Sequence, residues 1–296
     1  MTVKKSDKQK AGKTTPVVRN LVVISDTHAA CRLSLYNPHE RIKLDDGGYY
    51  SPSEFQEQIW AIWRHFWDEW VPMATRGEPY DVVHNGDVID GVHHNSTTQI
   101  SHNLNDQRRI AVAALRPEIE KCQAMGGRYY HIRGTGAHVG QSSINENEVA
   151  EILGAIPNAD GQYARYDLWK RVGDERGALV HLLHHIGTTS SAAYESSAVM
   201  AELAAEYVQA ARWGHEPPDF IVRSHRHRCI AVDLDSYKGN AAGIVTPAWQ
   251  GRTPFAWRVP GARITEPQFG GILIRQGDDE NFYRKKVYTV DRTPEE

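Results

Sequence analysis

A run of four apolar residues, Leu21-Val22-Val23-Ile24, leads directly into Ser25-Asp26-Thr27-His28. A short continuous apolar run reads as a strand buried on both faces, as in a sheet covered by helices. Side chains at i and i+2 of a strand share a face, so Asp26 and His28 point at one atom if the extension persists past Ile24. A carboxylate and an imidazole converging in this way suit a first-row divalent metal. Taken alone, the stretch reads more simply as a strand ending in a polar turn, with Asp as a cap and His at the surface. Its recurrence along the chain changes that reading.

Four further apolar runs end in the same manner. Asp81-Val82-Val83-His84 leads into Asn85-Gly86-Asp87-Val88-Ile89-Asp90, and Tyr129–Ile132 leads into Arg133-Gly134-Thr135-Gly136-Ala137-His138. Ala178–Leu183 leads into His184-His185, and Asp219–Arg223 into Ser224-His225-Arg226-His227. Between them lie helical patterns. One opens at Ser51-Pro52-Ser53-Glu54, a capping Ser with Pro in the first turn, and continues with Phe55, Ile59, Ile62, Trp63, Phe66 and Trp70 on one face. Core packing explains this stripe, widened by Trp60 and Trp67, better than cofactor stacking. Others fit 104–124 and 192–212. Residues 229–234, 242–246, 271–275 and 283–290 read as shorter strands of a second sheet. Strands alternating with helices predict right-handed crossovers in a covered sheet, whose ligands bind outside the carboxyl ends of the strands.

Composition narrows the function. No apolar run approaches the ~18 residues of a membrane span, and no apolar secretory segment opens the chain, so a cytoplasmic protein is expected. Cys31, Cys122 and Cys229 are scattered, which suggests a reducing compartment and neither a disulfide framework nor a thiolate zinc site. Histidine is abundant, with 15 copies, several in pairs or two apart, which invites a metal reading. Residues 1–19 carry a net +5 against an overall −3. A basic tail over 1–18 is therefore expected to be disordered, serving solubility or touching nucleic acid. With no repeat and no clear linker, 19–296 read as one domain.

Taken together, Asp26-x-His28, Gly86-Asp87-x-x-Asp90, Gly136-Ala137-His138, His184-His185 and His225-x-His227 resemble the calcineurin-like metallophosphoesterase family. That family's pattern runs Asp-x-His, Gly-Asp, Gly-Asn-His, His and Gly-His-x-His. The resemblance covers about residues 20–250, and Pro247–Pro254 resembles phage and prophage members. It implies an α/β fold, a two-sheet β-sandwich flanked by helices in four layers, α/β/β/α, in the cytoplasm of a bacterial or phage-infected cell. It also implies two divalent metal ions, with manganese, iron, zinc or nickel all fitting the ligands. The first would be held by Asp26, His28 and His227, with Asp87 bridging to the second. The second would take His225 and one of the adjacent pair, His184 preferred and His185 left open. His138 would protonate the leaving oxygen, and Arg133 and Arg226 could bind phosphate oxygens.

The implied activity is hydrolysis of a phosphate ester by a metal-activated hydroxide, with a phosphodiester or nucleic-acid-type substrate favoured. Two departures bear on it. Ser224 stands where the family has Gly, and Ala137 stands where it has the Asn ligand of the second metal. His94, then Thr135 or Asn85, are candidates to fill that place. Asp90 either orients a ligand histidine or caps a turn. The rival reading is a catalytically weak or inactive scaffold of the same fold that binds a protein or nucleic-acid partner.

Overall fold

The computed structural model describes residues 17–93, 95–187, 191–259 and 265–290. Most of the expected tail and His94 lie outside these residues. The first strand, β1 (Asn20–Ile24), is buried throughout. The expected helix follows as α1 (Glu54–His65), a π-helical turn at Phe66–Trp70, and α2 (Val71–Thr75). Its N-cap is Ser53, and Pro52 lies just outside. Ser53 accepts from Gln56 N while the Gln56 side chain accepts from Ser53 N, a reciprocal box that fixes the start. Next come β2 (Asp81–Asn85), α3 (Leu104–Ala124), β3 (Tyr129–Ile132), α4 (Gly136–Val139) and α5 (Ile144–Ile152). The remaining elements are β4 (Ala164–Arg165), β5 (Asp167–Val172), β6 (Ala178–Leu183), α6 (Glu195–Trp213), β7 (Phe220–Arg223), β8 (Ile230–Ser236), β9 (Gly239–Val245), β10 (Phe269–Gln276) and β11 (Asn281–Tyr288).

Two sheets result, with strand orders β11-β10-β1-β2-β3-β4 and β5-β6-β7-β9-β8. Strands β1 to β4 run parallel, as do β6, β7 and β9. The alternation of β1 builds the layers. Leu21 and Val23 face the second sheet and pack with Val180, Leu182, Val222 and Ile244. Val22 and Ile24 face the opposite way, onto the helices, beside Trp63, Phe66 and Trp67. The tryptophan stripe is thus core. On the far side, Val199 and Leu203 of α6 cover Ile221, Val232 and Val245. Helices therefore flank a sandwich of two sheets.

Two expectations need correction. Residues 271–275 and 283–290 belong to the first sheet, because β10 pairs antiparallel with β1 and then with β11. The fit is steric: a Cβ on Gly271 would come within 2.7 Å of Val23 O and 2.8 Å of the Phe66 ring. Glycine there lets β10 lie under the π-helical turn that follows α1. The polar edge strand β5, whose exposed residues alternate with Leu168 and Val172, and the short β4, α4 and α5 were not expected from the sequence.

Candidate metal centre

Every parallel strand that ends near this edge delivers a polar loop to it. From the first sheet come Asp26 and His28 after β1, Asp87 and Asp90 after β2, and Thr135 and His138 after β3. From the second come His184 after β6, and His225 and His227 after β7. The extended backbone expected for Asp26 and His28 is not what aligns them. The strand ends at Ile24, and Asp26 (φ 51°) and His28 (φ 41°) are left-handed, as are Asp87 (φ 57°), His225 (φ 71°) and His227 (φ 54°). Sharp turns are needed because several side chains from separate loops must meet at one point, and left-handed residues are stored where the surroundings over-determine them. Asp26 N bonds to Gly86 O and His28 N to Asp87 O, which ties the first two loops together.

The side chains converge in two groups that meet at Asp87. In the first, His227 Nε2 lies 3.3 Å and His28 Nε2 3.8 Å from Asp26 Oδ1. The two ring nitrogens face each other at 3.1 Å. In the second, His184 Nε2 lies 3.1 Å and His225 Nδ1 3.8 Å from Asp87 Oδ2. The same oxygen is 3.9 Å from His28 Nε2, so one carboxylate serves both groups. Asp26 Oδ1 and Asp87 Oδ2 are buried and accept no hydrogen bond of acceptable geometry among the described residues. Two orphaned carboxylate oxygens inside a ring of imidazole nitrogens is a donor set that fits divalent cations.

Supporting bonds orient the donors. His184 Nδ1 donates to Asn85 O at 2.6 Å, which leaves Nε2 facing Asp87. Thr135 N donates to Asp87 Oδ1 at 2.6 Å. The buried Glu146 carboxylate accepts from Val88 N at 3.1 Å and Gly134 N at 2.6 Å, and so clamps two loops from below. Closeness also demands glycine: a Cβ on Gly86 would stand 2.4 Å from His184 Nδ1. Asp90 is a hub. Its carboxylate accepts from Gln99 and Gln250 at 2.8 and 3.0 Å and lies 3.6 Å from His28 Nδ1, while its carbonyl accepts from His138 Nδ1 at 2.7 Å.

The electrostatics follow from that crowding. Burial by itself would push the His28 imidazole down, but Asp26, Asp90 and Asp87 raise it to about 10. Burial likewise opposes, and Asp87 and Asp26 overcome, a rise of His184 to about 9. Burial would raise Asp26 and Asp87, yet His184 and the other facing imidazoles hold both well below the usual carboxylate range. His138 goes the other way. Burial, reinforced by the charge on His28, pushes it down to about 4. The pocket favours positive charge at its centre and a neutral imidazole at its rim.

The remaining expected residues divide. Thr135 Oγ1 lies 3.1 Å from His225 Nδ1 and 3.4 Å from His184 Nε2, in the second group, beside the place for which it was one of the candidates. Asn85 stands behind it, its Nδ2 donating to Leu183 O and Ser224 Oγ. His185 is exposed, with its ring 5.1 Å from that of His184. Arg226 lines the cavity over the site, whereas Arg133 does not; its Nε donates to Ala164 O and its guanidinium lies over Tyr166. Position at a strand end did not reveal those nearer partners. His93, Gln99, Gln250 and Glu146 went unrecognised. His93 carries a signal, being one of a histidine pair, and it groups with Asp90 and His138.

No family model matches the chain, and no curated protein matches it. Among solved structures, it is similar to Vacuolar Protein Sorting 29 from Cryptosporidium parvum, at 12% identity over 93% of this chain and 100% of that one, with a TM-score of 0.33. It is also similar to a Thermotoga maritima protein solved by solution NMR, at 10% identity over 92% and 100%, with a TM-score of 0.32.

Proposed function

We propose that this protein is a metal-dependent phosphoesterase with two divalent ions, acting by preference on a phosphodiester or nucleic-acid-type ester. The observation that carries the reading is the Asp87 carboxylate, shared between imidazoles of two groups at 3.1 to 3.9 Å. Asp26, His28 and His227 would hold one ion, and His184 and His225 the other, with Asp87 between them. Thr135 offers the second site a neutral oxygen donor. Two such ions, when bound, neutralise phosphate oxygens and acidify water.

The chain's own groups supply the rest. His138 is held by the Asp90 carbonyl through Nδ1, so Nε2 is the atom available to hand a proton to the leaving oxygen. Burial and the charge on His28 favour the neutral ring, and an anionic ester beside it would favour the protonated one. Asp90 keeps His28 and His138 in register with each other, His28 through its carboxylate and His138 through its carbonyl. No helix among the described residues is long and apolar enough to cross a membrane. The scaffold alternative draws its support from Thr135, a weaker donor than the amide it replaces.

The test is hydrolysis of nitrophenyl mono- and diesters by metal-stripped protein, with manganese, zinc and nickel added back and bound metal counted per chain. Asp87→Asn keeps the shape and removes the shared charge, so turnover and about two bound metals should be lost together. A metal-replete, active Asp87→Asn protein would overturn the reading.

A further inference from the structure

The cavity over the metal centre has a volume of about 520 Å³, within the range of small-molecule sites and roomier than one phosphate group requires. One wall is the imidazole cluster. The other carries Arg226, Arg228, Arg252, Phe255 and a single acid, Glu266. Arg228 is paired, its Nη1 lying 2.5 Å from Glu195 Oε1. Arg226 and Arg252 are anchored on carbonyl oxygens rather than on carboxylates, with Glu195 and Glu202 close enough to Arg226 to be felt by its charge. Arg226 Nη1 donates to the Glu195 carbonyl at 3.0 Å, and its Nη2 is buried with no hydrogen bond among the described residues. Arg252 donates to the Thr265 carbonyl, lies 4.1 Å over the Trp257 ring, and keeps a buried Nε with no such bond. Carbonyls and an aromatic face fix the two guanidiniums, and neither is hydrogen-bonded to a carboxylate among the described residues.

Arg252 is also rigidly placed. Trp249 N donates to Asp26 O at 3.0 Å, Gln250 to Asp90 at 3.0 Å, and Gly251 N to Leu33 O at 2.7 Å. The three preceding residues thus tie Arg252 to the metal-centre loops. Phe255, 46% exposed, stands on the same wall.

We infer that this wall is a subsite for a nucleotide unit bearing a phosphate other than the one cleaved. Arg226 and Arg252 take that second phosphate as a fork-shaped donor pair, and Phe255 offers the base a stacking face. A second phosphate monoester brings about −1.5 to −2 charges, which a simple diester lacks. The preferred substrates are then short nucleotidyl diesters with a terminal phosphate. This inference rests on the phosphoesterase reading for the identity of the cleaved bond.

The first measurement is binding of thymidine 3′,5′-bisphosphate and thymidine 5′-monophosphate to the full-length protein as purified. The bisphosphate should bind about tenfold tighter or better, and Arg252→Ala should reduce that advantage to twofold or less, with Arg252→Lys retaining part of it. Equal affinities in the unmodified protein, or an Arg252→Ala loss shared equally by both ligands, would overturn the subsite. The second measurement is kcat/KM for the p-nitrophenyl ester of thymidine 5′-phosphate with and without a 3′-phosphate. Equal values would overturn the subsite and leave the phosphoesterase reading intact. A bisphosphate advantage in binding, with neither ester hydrolysed by metal-loaded protein, would uphold the subsite and sink the phosphoesterase reading.

Discussion

Gly134→Ala isolates the contribution of loop packing to the candidate metal centre. A Cβ built on Gly134 would stand 2.1 Å from Asp87 Oδ1 and 2.2 Å from Asp87 N, so a rigid fit is impossible. Either the carboxylate moves or the loop does, and both routes break the 2.6 Å bond from Thr135 N to Asp87 Oδ1. Overpacking of this kind costs about 1–3 kcal/mol, and a hydrogen bond to a charged group contributes about 1.5–3 kcal/mol. One displacement relieves the first and causes the second, so the total is about 2–4 kcal/mol rather than the sum. The Tm should fall by roughly 5–10 °C, and metal affinity by about 10–100-fold. Gly136→Ala is the control two residues along. Nothing lies within 4 Å of its would-be Cβ and its φ is not positive, so it should leave affinity intact and raise stability slightly. Thermal unfolding and metal titration of the three proteins decide the matter. Metal affinity within twofold of the unmodified protein in Gly134→Ala would refute the idea that Asp87's position limits binding.

Metal binding near pH 7 should release protons, because His28 (about 10) and His184 (about 9) are protonated there in the metal-free protein. Calorimetry in buffers of differing ionisation heat should show up to about two protons released, vanishing above pH 10. Both folded values are raised, so their contribution to metal-free stability is complete below the unfolded value near 6.5 and is lost as pH rises through about 9 and then 10. A metal-free Tm that rises over that interval would contradict the assignment. Glu146→Gln puts an amide NH2 against either Val88 N or Gly134 N, so about 1–3 kcal/mol of stability should go, together with metal affinity. Unchanged metal titration would show that the clamp does not govern the site. His184→Ala should lower bound metal per chain and the exposed His185→Ala should not; the reverse pattern would exchange their roles.

The sequence announces what periodicity and burial control, and little of what crowding controls. The extents of α3, β3 and β6 follow the expected residues because their apolar patterns are continuous and their ends are marked by polar turns. The sheet to which 271–290 belongs is not written locally. It depends on Gly271 fitting beneath Phe66, a contact between residues far apart in the chain. In the candidate site, the sequence named the groups that converge but gave the wrong reason for Asp26 and His28. Alternation of a strand was expected, and two left-handed turns are found. Arg133, expected at the site from its place after a strand, does not line the cavity, and its guanidinium is taken up by the Ala164 carbonyl and the Tyr166 ring. Thr135 was one of three candidates in the sequence. Only the fold places its hydroxyl between two imidazoles.

The left-handed residues at Asp26, His28, Asp87, His225 and His227 also bear on how such a chain can change over time. Each holds a conformation that costs a non-glycine residue about 1 kcal/mol, and glycine adopts it freely. Replacement by glycine would relax the backbone and remove a donor in one step. Selection acting on stability alone would therefore wear the centre away and keep the sandwich. A descendant that no longer needed these side chains should retain the sheets and the tryptophan core, with small residues at these five turns.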